Sequence, residues 1–149
     1  MEPDNTLVER RPAVPAVREP NGPLNDRELR VEFLVAVGSE FEVFGKVMSS
    51  CAFNISKLGY SVHPGTVCPD VISQYDPTLA MRHVMFESVF QWDAVPNLEL
   101  PEMTVTWLSP VPISDAEFEF RSVNGAEALR DLLEERSVDV LDLNRPSTV

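Results

Sequence analysis

Thr104-Val105-Thr106-Trp107-Leu108-Ser109-Pro110-Val111-Pro112-Ile113-Ser114-Asp115-Ala116-Glu117-Phe118 is the stretch on which the fold turns. Val105, Trp107 and Leu108 suit a pleated, half-buried strand. Pro110 and Pro112 cannot donate to a ladder, so the strand is expected to finish there or to lie on an edge. Ser114 then has the chemistry of an N-cap, and Glu117, three residues on, completes a capping box. Ile113 and Phe118 fall at the two positions of a hydrophobic staple. Downstream, Asn124-Gly125 can end that helix with a left-handed residue. Ala126, Leu129, Leu132 and Leu133 give a second apolar stripe at helical spacing. Arg145-Pro146 closes the ordered pattern, since the residue before proline is pushed out of the helical region.

Upstream, Leu29, Val31, Phe33, Val35 and Val37 alternate onto one face and predict a strand over 29–37. Leu34 and Ala36 on the other face predict burial on both sides in its second half. From residue 40 to 58 the period changes. Phe44, Val47, Met48, Cys51, Ile55 and Leu58 predict an amphipathic helix with Gly59 as its stop, Ser39 as N-cap and Glu42 in the capping-box position. Residues 60–77 are broken by Pro64-Gly65, Pro69 and Asp76-Pro77 into loop, with short strands around Val67 and Val71-Ile72. A strand is centred on residues 83–86, and 92–101 is a connecting loop. The order is that of an α+β fold, a mixed sheet flanked by helices.

The first 28 residues carry Pro3, Pro12, Pro15, Pro20 and Pro23, a composition of an extended arm. The expected organisation is therefore an arm over 1–28 and a single domain over 29–149. With 24 acidic against 12 basic residues the formal net charge is -12. Such a chain repels nucleic acid and anionic membrane, both of which need basic contacts. It can attract a basic protein. No apolar run reaches the length of a spanning helix, and the N-terminus lacks the layout of a signal peptide. Two cysteines fit a reducing compartment, which makes the cytoplasm the expected location. Lysine occurs only at Lys46 and Lys57, an arginine bias of the kind GC-rich bacterial genomes produce.

Cys51, His63, Cys68 and His83 are the residues able to hold zinc, but their spacings lack the close pairs that mark a structural site. No metal or cofactor is expected. Cys68 with His63 or His83, oriented by Asp70 or Asp76, is the one nucleophile–base arrangement open to the sequence. No phosphate loop, dinucleotide fingerprint or nucleophile elbow is present. Asp115 and Glu117 have a structural reason at the positive end of a helix. Glu119, Glu127, Asp131, Glu134 and Glu135 form either a solvated face or a docking surface for a basic partner. Trp92 and Trp107 are expected in or beside the core.

The order of these blocks resembles the suppressor-of-fused family. An Arg-x-Glu strand (Arg30-Val31-Glu32) is followed by a helix, then a loop with Gly59 and His63, then the strand His83-Val84-Met85-Phe86. The Pro112-Ile113-Ser114-x-x-Glu117 helix start follows. The Asn124-Gly125-x-Glu127-Ala128-Leu129 helix start comes next, and the Asp142-x-Asn144-Arg145-Pro146-Ser147 ending completes the match over 30–147. The opening strand pair of the family, with its Gly-Met-Ser element, is missing from residues 1–28. This is the pattern of a shortened bacterial member, or of one whose Val31–Val37 strand edge is left open to a partner.

The resemblance implies a protein-binding module without a catalytic centre, restraining a protein partner as an immunity protein restrains a toxin. The expected contacts are Val31, Phe33 and Val35 on the open edge and Glu127, Asp131 and Glu134 on the last helix. A thiol- or metal-dependent enzyme and a purely structural subunit are the other two classes. Ser114→Ala should cost about 1 kcal/mol in urea denaturation, because a helix-start amide loses its acceptor. An unchanged midpoint would mean that the helix starts elsewhere.

Overall fold

A computed structural model describes residues 28–58, 62–89 and 95–149. The expected arm up to residue 27, the helix stop at Gly59 and Trp92 lie outside the described residues. The elements run β1 (Glu28–Phe33), α1 (Phe44–Leu58), β2 (Val67–Cys68), β3 (His83–Ser88), β4 (Leu98–Glu99), β5 (Met103–Ile113), α2 (Asp115–Asn124) and α3 (Ala126–Glu135). The strands form one sheet in the order β1-β5-β3-β2, with β4 also on β5. β1 lies parallel to β5 and the other pairs are antiparallel, which makes the sheet mixed.

Alternation along the strands sorts side chains into two apolar layers. Val84, Phe86, Val31 and Leu108 pack with Phe44, Val47, Cys51 and Ile55 of α1. Met85, Val111 and Ile113 face the other way, onto Leu129 and Leu133 of α3 and Phe118 and Phe120 of α2. The sheet is thus sandwiched, α1 on one face and the α2–α3 pair on the other. No helix among the described residues is long and apolar enough to cross a membrane.

The prolines act differently from the expectation. β5 runs straight through Pro110 and Pro112 to Ile113. Leu108 turns its carbonyl toward β1, where it accepts from the Leu34 amide at 2.9 Å. By the period of two, Pro110 and Pro112 point the same way, so their missing N–H groups take nothing from the β3 ladder. They do end β1. The next ladder bond would run from the Pro110 nitrogen to the Leu34 carbonyl; Pro110 has no N–H, Ser109 Oγ donates to that carbonyl instead at 3.1 Å, and the ladder stops at the Phe33–Leu108 pair. The strand expected over 29–37 is therefore short. Leu34 and Ala36 are half-buried rather than enclosed on both sides.

Two other expectations change. The first long helix starts at Phe44, not after Ser39, because the chain first makes two tight turns. These are closed by Phe41 N–H to the Gly38 carbonyl and Phe44 N–H to the Phe41 carbonyl, both 3.0 Å. Val71 and Ile72 are buried, but in a turn whose Ile72 amide reaches the Arg82 carbonyl, so their apolarity serves the core and not a ladder.

The α2 start forms as its residues dictate. Ser114 is the N-cap, its Oγ accepts from the Glu117 amide, and the Glu117 carboxylate accepts from the Ser114 amide. Glu117 is wholly buried and does more than cap. Arg145, also buried, donates from Nη1 to Oε1 at 2.6 Å and from Nη2 to Oε2 at 2.9 Å. Nη2 also reaches the Pro112 carbonyl at 2.9 Å. Thr148 adds its amide and hydroxyl to Oε1 at 3.0 and 2.9 Å. Order continues past Arg145-Pro146: Ser147 Oγ meets Ser114 Oγ at 2.7 Å, and Thr148 is buried.

Gly125 (φ 94°) makes the α2–α3 joint in a region closed to other residues. Gly65 (φ 92°) brings its turn so close to α3 that a Cβ would sit 2.8 Å from that of Ala126.

Burial opposes ionisation of Glu117, but the Arg145 guanidinium and the Ser114 and Thr148 amides outweigh it and hold its pKa below the ordinary 4.5. Its contribution to stability is therefore complete above 4.5 and lost as pH falls through the folded value. Arg145→Met should cost about 3–5 kcal/mol in urea at neutral pH, since it strands a buried carboxylate. Glu117→Gln in the Arg145→Met background should recover part of that loss and flatten the acid limb of the stability curve. A single substitution costing no more than an exposed pair would refute the assignment.

Candidate functional site

His83, Met85 and Glu87 share the face of β3 that α2 and α3 cover. At its upper end this face opens into a groove of about 780 Å³. Met85 and Val111 of the sheet, Leu133 of α3, and Val138 and Val140 of the following tail give it apolar walls. Its charged groups are Glu87, Arg130, Glu127 and Glu134.

Glu87 is the unusual member. Only 5% of the residue is exposed, at a strand position where an apolar side chain would ordinarily sit. Arg130 binds one oxygen only, Nε at 2.9 Å and Nη2 at 2.6 Å from Oε2. Oε1 is buried and has no hydrogen-bond partner among the described residues. Burial pushes the Glu87 pKa above its ordinary value, Arg130 and the nearby Ser88 amide only partly offset this, and the charge of Glu134 adds to the rise.

The expected contact residues fall in two separate places. Glu127 and Glu134 line the groove, while Asp131 is exposed on the same helix without lining it. Val31 is buried and Phe33 stacks on Phe86 at 4.5 Å, so both side chains are committed to the α1-side core. Val35 is half-buried against that core. At β1 it is the backbone edge, not these side chains, that a partner could address: β1 has a single strand neighbour among the described residues.

The sheet itself separates the candidate nucleophile from His83. Cys68 pairs with Val84 and shares the α1-side core with Cys51. His83, one residue earlier, packs on the opposite face against Phe118, the ring centroids 4.8 Å apart and the planes tilted by 39°. His63 is exposed and directs Nδ1 to the Pro64 carbonyl. Cys51 and Cys68 are both free and buried. Contact with Cys68, then burial, pushes the Cys51 thiol far above its ordinary value, whereas the same contact holds the Cys68 thiol below its own against the effect of burial.

Asp70, His83 and Asp115 present donor atoms within 4.8 Å of one another. The imidazole is nevertheless spent on structure. Nδ1 accepts from the Asp70 amide at 2.8 Å, which assigns the proton to Nε2, and Nε2 donates to Asp115 Oδ1 at 2.6 Å. A cation would have to displace one of those bonds. Asp115 thus joins the first turn of α2 to β3, and Asp70 holds its left-handed backbone (φ 55°) with its amide on the ring.

Sequence reasoning missed Glu87–Arg130. The available signal was a carboxylate in phase with His83 and Met85, two positions apart on a strand face due to be covered.

Known proteins bear on this arrangement at three levels. The sequence profile of the family described as Suppressor of fused protein (SUFU) matches residues 14–146. Immunity protein YqcF of Bacillus subtilis (strain 168) is 37% identical over 130 residues, covering 87% of this chain and 68% of that protein. Among solved structures, a chain of the Sufu–Fu complex superposes with a TM-score of 0.64 at 15% identity, over 89% of this chain and 62% of its own length. A suppressor of fused homologue from Neisseria gonorrhoeae FA 1090 gives 0.62 at 20% identity, over 80% of this chain and 63% of its own. Drosophila Suppressor of Fused gives 0.62 at 15% identity, with 89% of this chain matching 34% of that one. The chain thus spans under two thirds of each of these structures, and at such identities they establish the fold alone.

Cys51 and Cys68 are both buried, 0% and 8% exposed, so a reagent in solvent reaches neither thiol in the folded protein. Ellman's reagent should therefore find no fast-reacting cysteine in the native protein and both once it is denatured. A native-state reaction at Cys68 as fast as that of a free thiol would contradict this placement.

Proposed function

Because the chain belongs to the suppressor of fused family, we propose that it is a non-catalytic module that binds and restrains a protein partner, as an immunity protein for a basic toxin. The observation that carries this reading is the 37% identity to Immunity protein YqcF across 87% of the chain. Geometry supports it from two sides. The nucleophile and bases open to the sequence lie on opposite faces of the sheet or in solvent. The open concavity is apolar with an acidic lining, which suits a docked basic protein better than a reacting small molecule.

The net charge of -12 would steer a basic partner toward the surface, raising the association rate more than the final affinity. That steering is screened over about 8 Å at physiological ionic strength. A bacterial cell interior, where toxin and restraint are made together, is the setting this reading requires.

The test is co-expression with the product of the adjacent gene. Co-purification and rescue of growth are expected. Replacing Glu127, Asp131 and Glu134 with lysine should slow association by about tenfold or more at low salt. Absence of any complex with a neighbour, together with a turnover that disappears in Cys68→Ser, would move the assignment to an enzyme.

A further inference from the structure

A carboxylate buried in a sheet face is costly unless its oxygens are satisfied. In Glu87 one oxygen takes both nitrogens offered by Arg130 and the other takes none among the described residues. The group stands in the wall of an open groove, not in a sealed core. Three carboxylates line that groove, those of Glu87, Glu127 and Glu134, against the one guanidinium of Arg130. Around them the walls are apolar: Met85, Val111, Leu133, Val138.

We propose that this groove holds an arginine or lysine side chain of a partner protein, flanked by apolar residues, with Glu87 Oε1 as acceptor for the incoming cation. The proposal rests on the partner-binding reading above and gives that partner its chemistry. Charge complementarity selects the occupant. The surplus of negative charge excludes an acidic segment. A wholly apolar segment would fill the walls but leave the buried Oε1 unsatisfied. A cation answers both, through a charge-assisted hydrogen bond to a carboxylate that already has one. Arg130 can admit it, since 35% of its side chain is exposed and its stem is flexible. Glu134, on the rim, adds field without contact. The Glu87 site also explains why affinity would centre here and not on the exposed acids of α3. Rim charges set the encounter rate, whereas a desolvated central anchor sets the off-rate.

A random peptide library displayed on phage is the probe, selected on the full chain. The enriched peptides should carry an arginine or lysine between apolar residues. Their binding should fall by about tenfold or more in Glu87→Gln, the scale of one lost charge-assisted contact. Exchanging the selected arginine for citrulline, which keeps the shape and removes the charge, should cost as much on the unaltered protein. That second arm decides the matter even if Glu87→Gln fails to fold. Enriched peptides without a cation, equal binding by Glu87→Gln or by the citrulline peptide, or no saturable binder at all would overturn the proposal. If the free chain dimerises and dimerisation blocks the selected peptides, the occupant is a second copy and the proposal is wrong.

Failure of the two readings is separable. A neighbouring gene product that binds but is not displaced by the selected peptides removes the groove and leaves the function. Peptides that pass every arm while no neighbour binds leave the groove and remove the named class of partner.

Discussion

Glu117 and Arg145 put a full charge each into an interior that excludes water, and the C-terminal half of the fold depends on how those charges are answered. The carboxylate takes the Ser114 amide at the α2 start, the Thr148 amide and hydroxyl in the tail, and both terminal nitrogens of Arg145. The guanidinium also takes the Pro112 carbonyl, which β5 turns outward past the end of β1. One ion pair therefore joins the last strand, the second helix and the tail. A buried pair adds little stability over an apolar substitute, but its parts cannot separate cheaply. What it provides is position. With the tail held there, Leu143 reaches the α1-side core, and Val138 and Val140 form a wall of the groove.

The sheet imposes a second constraint by sending alternate residues to different environments. Cys68 and His83 lie on adjacent strands one register step apart, and that single step puts the thiol in the α1-side core and the imidazole against α2. Chemistry that looks adjacent in sequence is thereby divided. On the α2–α3 face the polar members, His83 and Glu87, differ in how well they are answered. His83 has both nitrogens bonded, whereas Glu87 leaves an oxygen over. His83 is spent on the architecture, whereas the Glu87 oxygen, in the wall of the groove, is the acceptor assigned above to a partner's cation.

Much of the fold was legible in sequence where local chemistry decides. The capping box at Ser114, the glycine joint at Gly125 and the apolar periods of α1 and α3 all rest on neighbours within a few residues. The ends of β1 and β5 were not legible, because they depend on which edge of β5 each proline faces, and that is set by a partner strand over seventy positions away. Glu117 was legible as a cap but not as an ion-pair partner, for the same reason. The groove was legible only as acids on a helix. Glu87, which gives it a centre, looks like any strand carboxylate until the sheet is covered. The prospective partner contacts at Val31 and Phe33 followed from an edge expected to be open, whereas strand alternation turns those side chains inward.

The claim on which the rest hangs is that the tail is part of the folded core through Glu117. Native-state hydrogen exchange at the Thr148 amide measures this directly, since that amide donates to the Glu117 carboxylate and to no other described group. If the ion pair holds the tail as described, the Thr148 amide exchanges only with global unfolding, at the same free energy as the amides of β3 and β5. Exchange at the rate of an open chain end, with β3 and β5 still protected, would detach the tail from the core and with it the wall of the groove.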